Sequence, residues 1–421
     1  MNTYSEYKDS GIDWIGKIPK SWQVKKLKYI ADIKTGDKDT VDREDDGKYP
    51  FFVRSQTVEK ISSYSFDGEA VLTAGDGVGV GKVFHYINGK FDYHQRVYGI
   101  KNFKDVNGRY FYYFLKENLR KEIARNNAKS TVDSLRLPMF KDFHVTFGNI
   151  DEQKKIVDFL DSKSERIKEF VHKKKELIEL LKAQRISLIN QVITKGLNRT
   201  VELKESNITW IGKFPKHWII KKLKYNTYIK GRIGWQALKT DEFVDEGPYC
   251  VTGTDFKEGE INWNSCYHVG EERWAMDKFI QLKEKDLVIT KDGTIGKIAI
   301  VKNLNGKACL NSGVFVTRPK NEDYITEYMY WVLNSTIFTE FINFEKKGTT
   351  ISHLYQNVFE NMPYTQPPIS EQKEIVKFLD QETSQIDKSI EKIQKEIGLL
   401  EEYKEALISE AVTGKIKVTH E

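Results

Sequence analysis

Asp76-Gly-Val-Gly-Val-Gly-Lys-Val83 comes within two residues of a nucleotide phosphate loop. That loop needs a glycine five residues before its Gly-Lys pair and a serine or threonine after it, so that backbone amides and a hydroxyl can hold phosphates and their magnesium. Asp76 and Val83 stand in those places, and Lys291-Asp-Gly-Thr-Ile-Gly-Lys-Ile298 fails in the same way. Both stretches read instead as glycine hairpins joining two strands. The eight histidines form no His-Glu-x-x-His, and His94 and His353 sit near polar loops with no nucleophile to serve. The single Pro-Pro pair, Pro367-Pro368, is followed by Ile369, so an amino-methyltransferase signature is missing, as is a Pro-Asp that would open a nuclease site.

What remains is a set of polar and basic loops. In the first half they carry Lys34 and Thr35, Arg54 and Gln56, Lys82, His94, Gln95 and Arg96, and Lys129 and Ser130. In the second they carry Lys230, Arg232 and Trp235, Thr252 and Thr254, Lys291 and Lys297, Asn311 and Ser312, and Lys346, Lys347, Thr349 and Thr350. Arginine, glutamine and asparagine match the hydrogen-bonding edges of bases, while lysine, serine, threonine and glycine-flanked amides suit phosphates. Each loop alone reads equally well as a solvated turn. Their occurrence at corresponding places in both halves makes them candidate DNA contacts as a set.

The elements that must position these loops are duplicated. Ser10–Tyr29 returns as Ser206–Tyr225 with fourteen of twenty residues identical, and Ile150–Asp161 returns as Ile369–Asp380 with nine of twelve. From Asp151 onward Ile156, Leu160, Ile167, Val171, Ile178, Leu181, Leu188 and Val192 recur mostly at spacings of three, four or seven, with no proline or glycine before Gly196. This predicts a helix of about 45 residues, roughly 65–70 Å long, too long for one globular core. Ile375, Leu379, Ile386, Ile390, Ile393, Ile397, Leu400, Leu407 and Ala411 repeat the stripe at a constant offset. The expected arrangement is an antiparallel coiled coil with a pseudo-twofold relation between the halves.

Each globular half reads as mixed α/β. Strands are expected at Glu69–Thr73 and Gly81–Tyr86, and at Asp286–Thr290 and Lys297–Val301. Hairpin turns are expected at Asn88-Gly89 and Asn305-Gly306, and short helices at Tyr110–Asn118 and Tyr328–Asn334. The fold class is therefore α+β, with two mixed α/β domains separated by two long helices. The expected boundaries are 1–149, 150–198, 199–368 and 369–421.

A net charge of +6 suits an anionic partner without demanding one. Cys250, Cys266 and Cys309 are odd in number and form no Cys-x-x-Cys, so neither a disulfide framework nor a zinc site is expected, and reduced thiols point to the cytoplasm. The N-terminal residues lack the apolar core of a signal peptide, and no apolar run reaches membrane-spanning length.

This pattern resembles the specificity subunits of type I restriction–modification enzymes, the HsdS family. The resemblance covers essentially the whole chain. It rests on the paired Trp-Ile-Gly-Lys-x-Pro-Lys-x-Trp openings at Trp14 and Trp210 and the paired Ile-x-Glu-Gln-Lys-x-Ile-Val-x-Phe-Leu-Asp runs after Asn149 and Pro368. Lys230-Gly-Arg-Ile-Gly-Trp235 and Lys347-Gly-Thr-Thr-Ile351 also match, Ala128-Lys-Ser-Thr-Val132 being a looser copy of the latter. The resemblance implies two target-recognition domains that each read one half of a split double-stranded DNA target. Two domains held apart must meet the same face of the duplex, so half-site centres are expected about 10–11 base pairs apart, and because the domains differ the target is expected to be non-palindromic. The resemblance also implies docking of two methyltransferase subunits, which motor–nuclease subunits can join, and no membrane. It places S-adenosylmethionine, ATP and Mg2+ in those partners, leaving this chain without catalytic residues, metal or cofactor. The repeated segments are expected to touch the identical partner subunits. A protein-interaction scaffold and, further off, an independent nuclease or NTPase are the competing readings.

Overall fold

In a computed structural model, residues 2–126, 134–232, 238–345 and 353–418 are described. The chain forms two compact units: Met1–Lys175 with Gln394–Glu421, and Glu176–Ile393.

The first unit is built on a six-stranded sheet in the order Asp32–Thr35, Val97–Lys101, Phe66–Ala74, Phe84–Tyr93, Tyr49–Phe52, Glu59–Ile61. All neighbours are antiparallel except Tyr49–Phe52, which runs parallel to the end of Phe84–Tyr93. Alternation sorts its side chains. Val71, Phe84 and Ile100 face a core with Trp22, Tyr110, Phe111, Phe114 and Phe143, whereas Ala70, Leu72, Phe91 and Val97 form a second cluster with Phe52. The helix Gly108–Asn126 supplies the aromatic side of that first core.

The second unit repeats this plan. Its six-stranded sheet runs Thr227–Gly231, Val314–Pro319, Leu287–Thr290, Ile298–Ile300, Glu260–Ile261, Phe256–Lys257, and a three-stranded sheet adds Tyr267–Val269, Phe243–Val251 and Ala308–Leu310. Leu287, Ile289, Ile298, Ile300 and Phe315 pack with Trp218, Tyr328 and Tyr364, while Val288, Ala299 and Val316 face Cys250, Val251 and Leu310. All three cysteines are free and buried.

Both long helices form, at Ile150–Lys195 and Ile369–Val412. Asn149 caps the first by accepting from the Glu152 N–H at 2.9 Å. Within each unit their segments run antiparallel. In the first, Ile156, Val157 and Leu160 share a core with Leu407, Ile408, Ala411 and Val412, and Lys174 Nζ lies 2.7 Å from Glu396 Oε2. In the second, Ile189, Val192 and Ile193 share one with Ile375, Val376 and Leu379, and Arg185 Nε lies 3.0 Å from Asp387 Oδ1. Among the described residues no helix is long and apolar enough to cross a membrane.

The repeated motifs turn inward. Trp22 and Trp218 are completely buried, as are Gln153 and Gln372. The Gln153 Nε2 donates to the carbonyls of Asp105 and Gly148, both at 3.0 Å, and its Oε1 accepts from the Asn107 N–H at 2.8 Å. Gln372 does the same with Asp323 O, Pro367 O and the Ile325 N–H. The expectation that the repeats mainly meet partner subunits is thus corrected for these residues. They are repeated because each unit needs the same internal brace.

The two Asn-Gly turns are also corrected. Asn88 and Gly89 lie inside the strand Phe84–Tyr93, opposite Glu69 and Gly68. Gly68 and Gly89, with φ of +144° and +146°, let the ladder continue through a conformation only glycine tolerates. Asn305-Gly306 lies in the connection from Ile298–Ile300 to Ala308–Leu310, strands that belong to different sheets. The glycine hairpins form as expected: Phe66–Ala74 pairs antiparallel with Phe84–Tyr93, and Leu287–Thr290 with Ile298–Ile300.

Candidate nucleic-acid interface

Three main-chain hydrogen bonds recur in both units and gather the same loops at one end of each sheet. The His94 N–H donates to Phe52 O at 3.0 Å, and the Asn311 N–H to Val251 O at 2.9 Å. The Gly75 N–H donates to Arg96 O at 2.8 Å, and the Lys291 N–H to Gly313 O at 2.9 Å. The Leu135 N–H donates to Gly75 O at 2.7 Å, and the Leu354 N–H to Lys291 O at 2.8 Å. Ser134 forms a bridge to Asp76, and His353 to Asp292. Loops far apart in sequence therefore converge on the glycine hairpin in each unit.

In the first unit, Asp76 organises the surface. Its two carboxylate oxygens accept from Arg54 Nη1 at 2.8 Å and Arg96 Nη1 at 3.2 Å. Gln56 Nε2 donates to Lys82 O at 3.0 Å, and Lys82 is exposed. Asp39 accepts from Gln95 Nε2 at 2.6 Å and lies 3.6 Å from His94 Nε2. His94 itself is buried. Its Nδ1 accepts from the Arg96 N–H at 2.9 Å, and burial pushes the imidazole below the usual histidine range against the pull of Asp39. It acts as a neutral support for Arg96. Lys34 and Thr35 are exposed on the edge strand Asp32–Thr35.

The strand's exit is tight. A Cβ on Gly36 would sit 1.8 Å from Tyr93 O and 2.8 Å from His94 O. Gly36→Ala is expected to push Lys34–Asp39 away from His94–Arg96 and to cost about 1–3 kcal/mol, a cost typical of overpacking. A thermal melt checks this, and an unchanged midpoint would show that the loops are not packed as described.

In the second unit the equivalent aspartate, Asp292, meets different partners: Lys291 Nζ at 2.9 Å and His353 Nδ1. Asn311 Oδ1 accepts from the Ser312 N–H at 2.6 Å. The Thr252 N–H and Oγ1 both donate to Asp255 Oδ2 at 2.8 Å, and Thr252 Oγ1 lies 2.7 Å from Thr254 Oγ1, so these hydroxyls close their own turn. Lys230 is half-buried on the edge strand Thr227–Gly231, and Lys297 is exposed beyond Gly296.

Arg232 is the clearest correction among the candidate contacts. It is 4% exposed, its Nε donates to Leu310 O at 3.0 Å and its Nη2 lies 3.6 Å from Cys309 Sγ. It serves the interior beneath the loops, because the Leu310 carbonyl at the strand end needs a donor. Lys291 is likewise buried against Asp292. Lys129, Ser130, Trp235, Lys346, Lys347, Thr349 and Thr350 lie outside the described residues. The candidate set omitted Asp39, Asp76, Asp255 and Asp292. Asp76 had a signal, since it stands where a phosphate loop needs its first glycine, whereas Asp292 falls one place later in its own loop, where any residue is allowed. Among the described residues no group of three or more His, Cys, Asp or Glu side chains is placed to hold a metal ion.

The comparisons with known proteins agree with this duplicated plan. The chain is similar to the EcoDI type I restriction enzyme specificity subunit of Escherichia coli, 22% identical over 413 residues that cover 95% of this chain and 90% of the relative. It is similar to the MjaVIII specificity subunit of Methanocaldococcus jannaschii, at 24% identity and coverage of 96% and 94%. Among solved structures, a chain from a study of assembly and conformational transition in the type I R-M system aligns over 95% of this chain and 99% of its own, with a TM-score of 0.73 and 13% identity. The HsdS subunit from Thermoanaerobacter tengcongensis aligns over 95% and 98%, with a TM-score of 0.54 and 14% identity. The family described as the type I restriction modification DNA specificity domain matches residues 19–180 and again 216–399. With one match in each half, the chain belongs to that family.

Proposed function

We propose that this chain is the DNA specificity subunit of a type I restriction–modification complex, reading a bipartite target with one half-site for each unit. The observation that carries this is the pairing of one frame with two loop sets. The same three backbone hydrogen bonds hold the loops in both units, yet the side chains they present differ. A rigid scaffold with variable loops is the economical way to build two readers of different sequences. Methyl transfer and cleavage then fall to partner subunits that bring S-adenosylmethionine, ATP and Mg2+. Two methyltransferase subunits dock, and the complex acts on double-stranded DNA in the cytoplasm.

Methylome sequencing of cells expressing this chain with its methyltransferase subunit tests the reading. The expected product is one interrupted, non-palindromic methylated motif. A continuous or palindromic motif would refute it.

A further inference from the structure

We propose that Arg54 and Arg96 are the guanine-reading side chains of the first unit, oriented by Asp76, and that the second unit reads its half-site without an arginine at either equivalent position. This rests on the proposed DNA-reading role of the loops.

Both guanidinium groups are accessible, with side-chain exposures of 40% for Arg54 and 56% for Arg96. Each gives one Nη1 hydrogen bond to Asp76. A guanidinium carries five N–H donors, so most of each fork remains free. Arg96 is also fixed at its backbone, through its N–H on His94 Nδ1 and its carbonyl on the Gly75 N–H. Two long side chains are thus ordered before DNA arrives, which lowers the entropy cost of binding. Guanine offers two acceptors, O6 and N7, in the major groove, and an arginine fork pairs with both. Adenine offers one acceptor beside an amino donor, and cytosine an amino donor, against which an all-donor group has no match. A phosphate grip would need charge rather than orientation. Here a carboxylate offsets one of the two positive charges while aiming the forks.

The second unit supplies the contrast. Counting from the shared hydrogen bonds, Phe52 corresponds to Val251, Gly75 to Lys291 and Arg96 to Gly313. Two residues beyond Phe52 stands Arg54, and two beyond Val251 stands Gly253. The aspartate is retained as Asp292, but both arginine positions are glycine. The described side chains there, Thr252, Asn311 and Ser312, are hydroxyls and an amide.

The test is a selection from randomised duplex DNA by this chain with its methyltransferase subunit, read by sequencing. Wild type should select a bipartite sequence with at least one fixed G·C pair in the half-site of the first unit. Arg54→Gln and Arg96→Gln should each reduce the preference for guanine over adenine at one position by roughly tenfold or more, the value of a lost bidentate pair. The other half-site and the melting temperature should not move. Asp76→Asn should lower the same guanine preference by a smaller factor. A merely structural Asp76 would change stability or overall affinity while leaving base preference intact. The assignment is overturned if the arginine variants weaken binding uniformly across sequences, change both half-sites or change nothing. If wild type selects no bipartite sequence at all, the DNA-reading function falls with it. A bipartite selection that the arginine variants leave untouched removes this assignment alone.

Discussion

Gln372→Ala should destabilise the second unit by about 3 kcal/mol or more, and Gln153→Ala should do the same to the first. Neither side chain has any exposed surface, and each hydrogen-bonds three backbone groups. A buried donor or acceptor left unpaired costs about 1–3 kcal/mol, and the truncation adds a cavity term, partly relieved where water enters. Gln372→Glu keeps the size but sets a carboxylate against the carbonyls of Asp323 and Pro367, so it should be at least as damaging. Urea denaturation followed by tryptophan fluorescence measures both, because Trp218 Nε1 donates to Glu371, the residue beside Gln372, at 2.8 Å. A loss below about 1 kcal/mol in the alanine variant would mean that the glutamine is not the brace it looks like.

The second large effect is on specificity. Exchanging the segment from Ala31 to Phe147 for the matching segment of another family member should replace one half-site completely and leave the other unchanged. The exchanged segment holds the entire six-stranded sheet of the first unit and its converging loops. Trp22 at its near boundary and Gln153 at its far boundary stay in the recipient. Methylome sequencing of the hybrid decides the matter. A change in both half-sites would show that reading is shared between units, contrary to the proposal.

The long helices and the doubled order of elements were legible because they depend on periodicity and repetition. An apolar stripe at helical spacing, uninterrupted by proline or glycine, has few other ways to be buried. The Asn-Gly turns were misread because the signal is local and the outcome is not. A glycine facing Asn88-Gly89 across the ladder, at Gly68, converts a turn into continued strand. Arg232 misled for a similar reason. Its neighbours in sequence look like a surface phrase, but the carbonyl that claims it comes from Leu310, far along the chain. Asp76 stands out in the sequence only as a flaw in a phosphate loop and Asp292 not at all, since their partners at Arg54, Arg96, Lys291 and His353 come mostly from other segments. Periodicity reports which face is buried. It does not report which distant group will meet a polar side chain.

The hydrogen bonds that gather the loops are main chain to main chain, and this bears on how such a protein can change. The three shared junctions do not themselves use the exposed side chains of Arg54 and Arg96, so those side chains can be exchanged while these backbone bonds remain. A few substitutions at the edge could then create a new address while folding is left alone. The same property makes the edge suited to laboratory diversification. A library randomised at Arg54, Gln56, Arg96, Thr254 and Ser312 should retain a high share of folded members, and its survivors should differ in what they read.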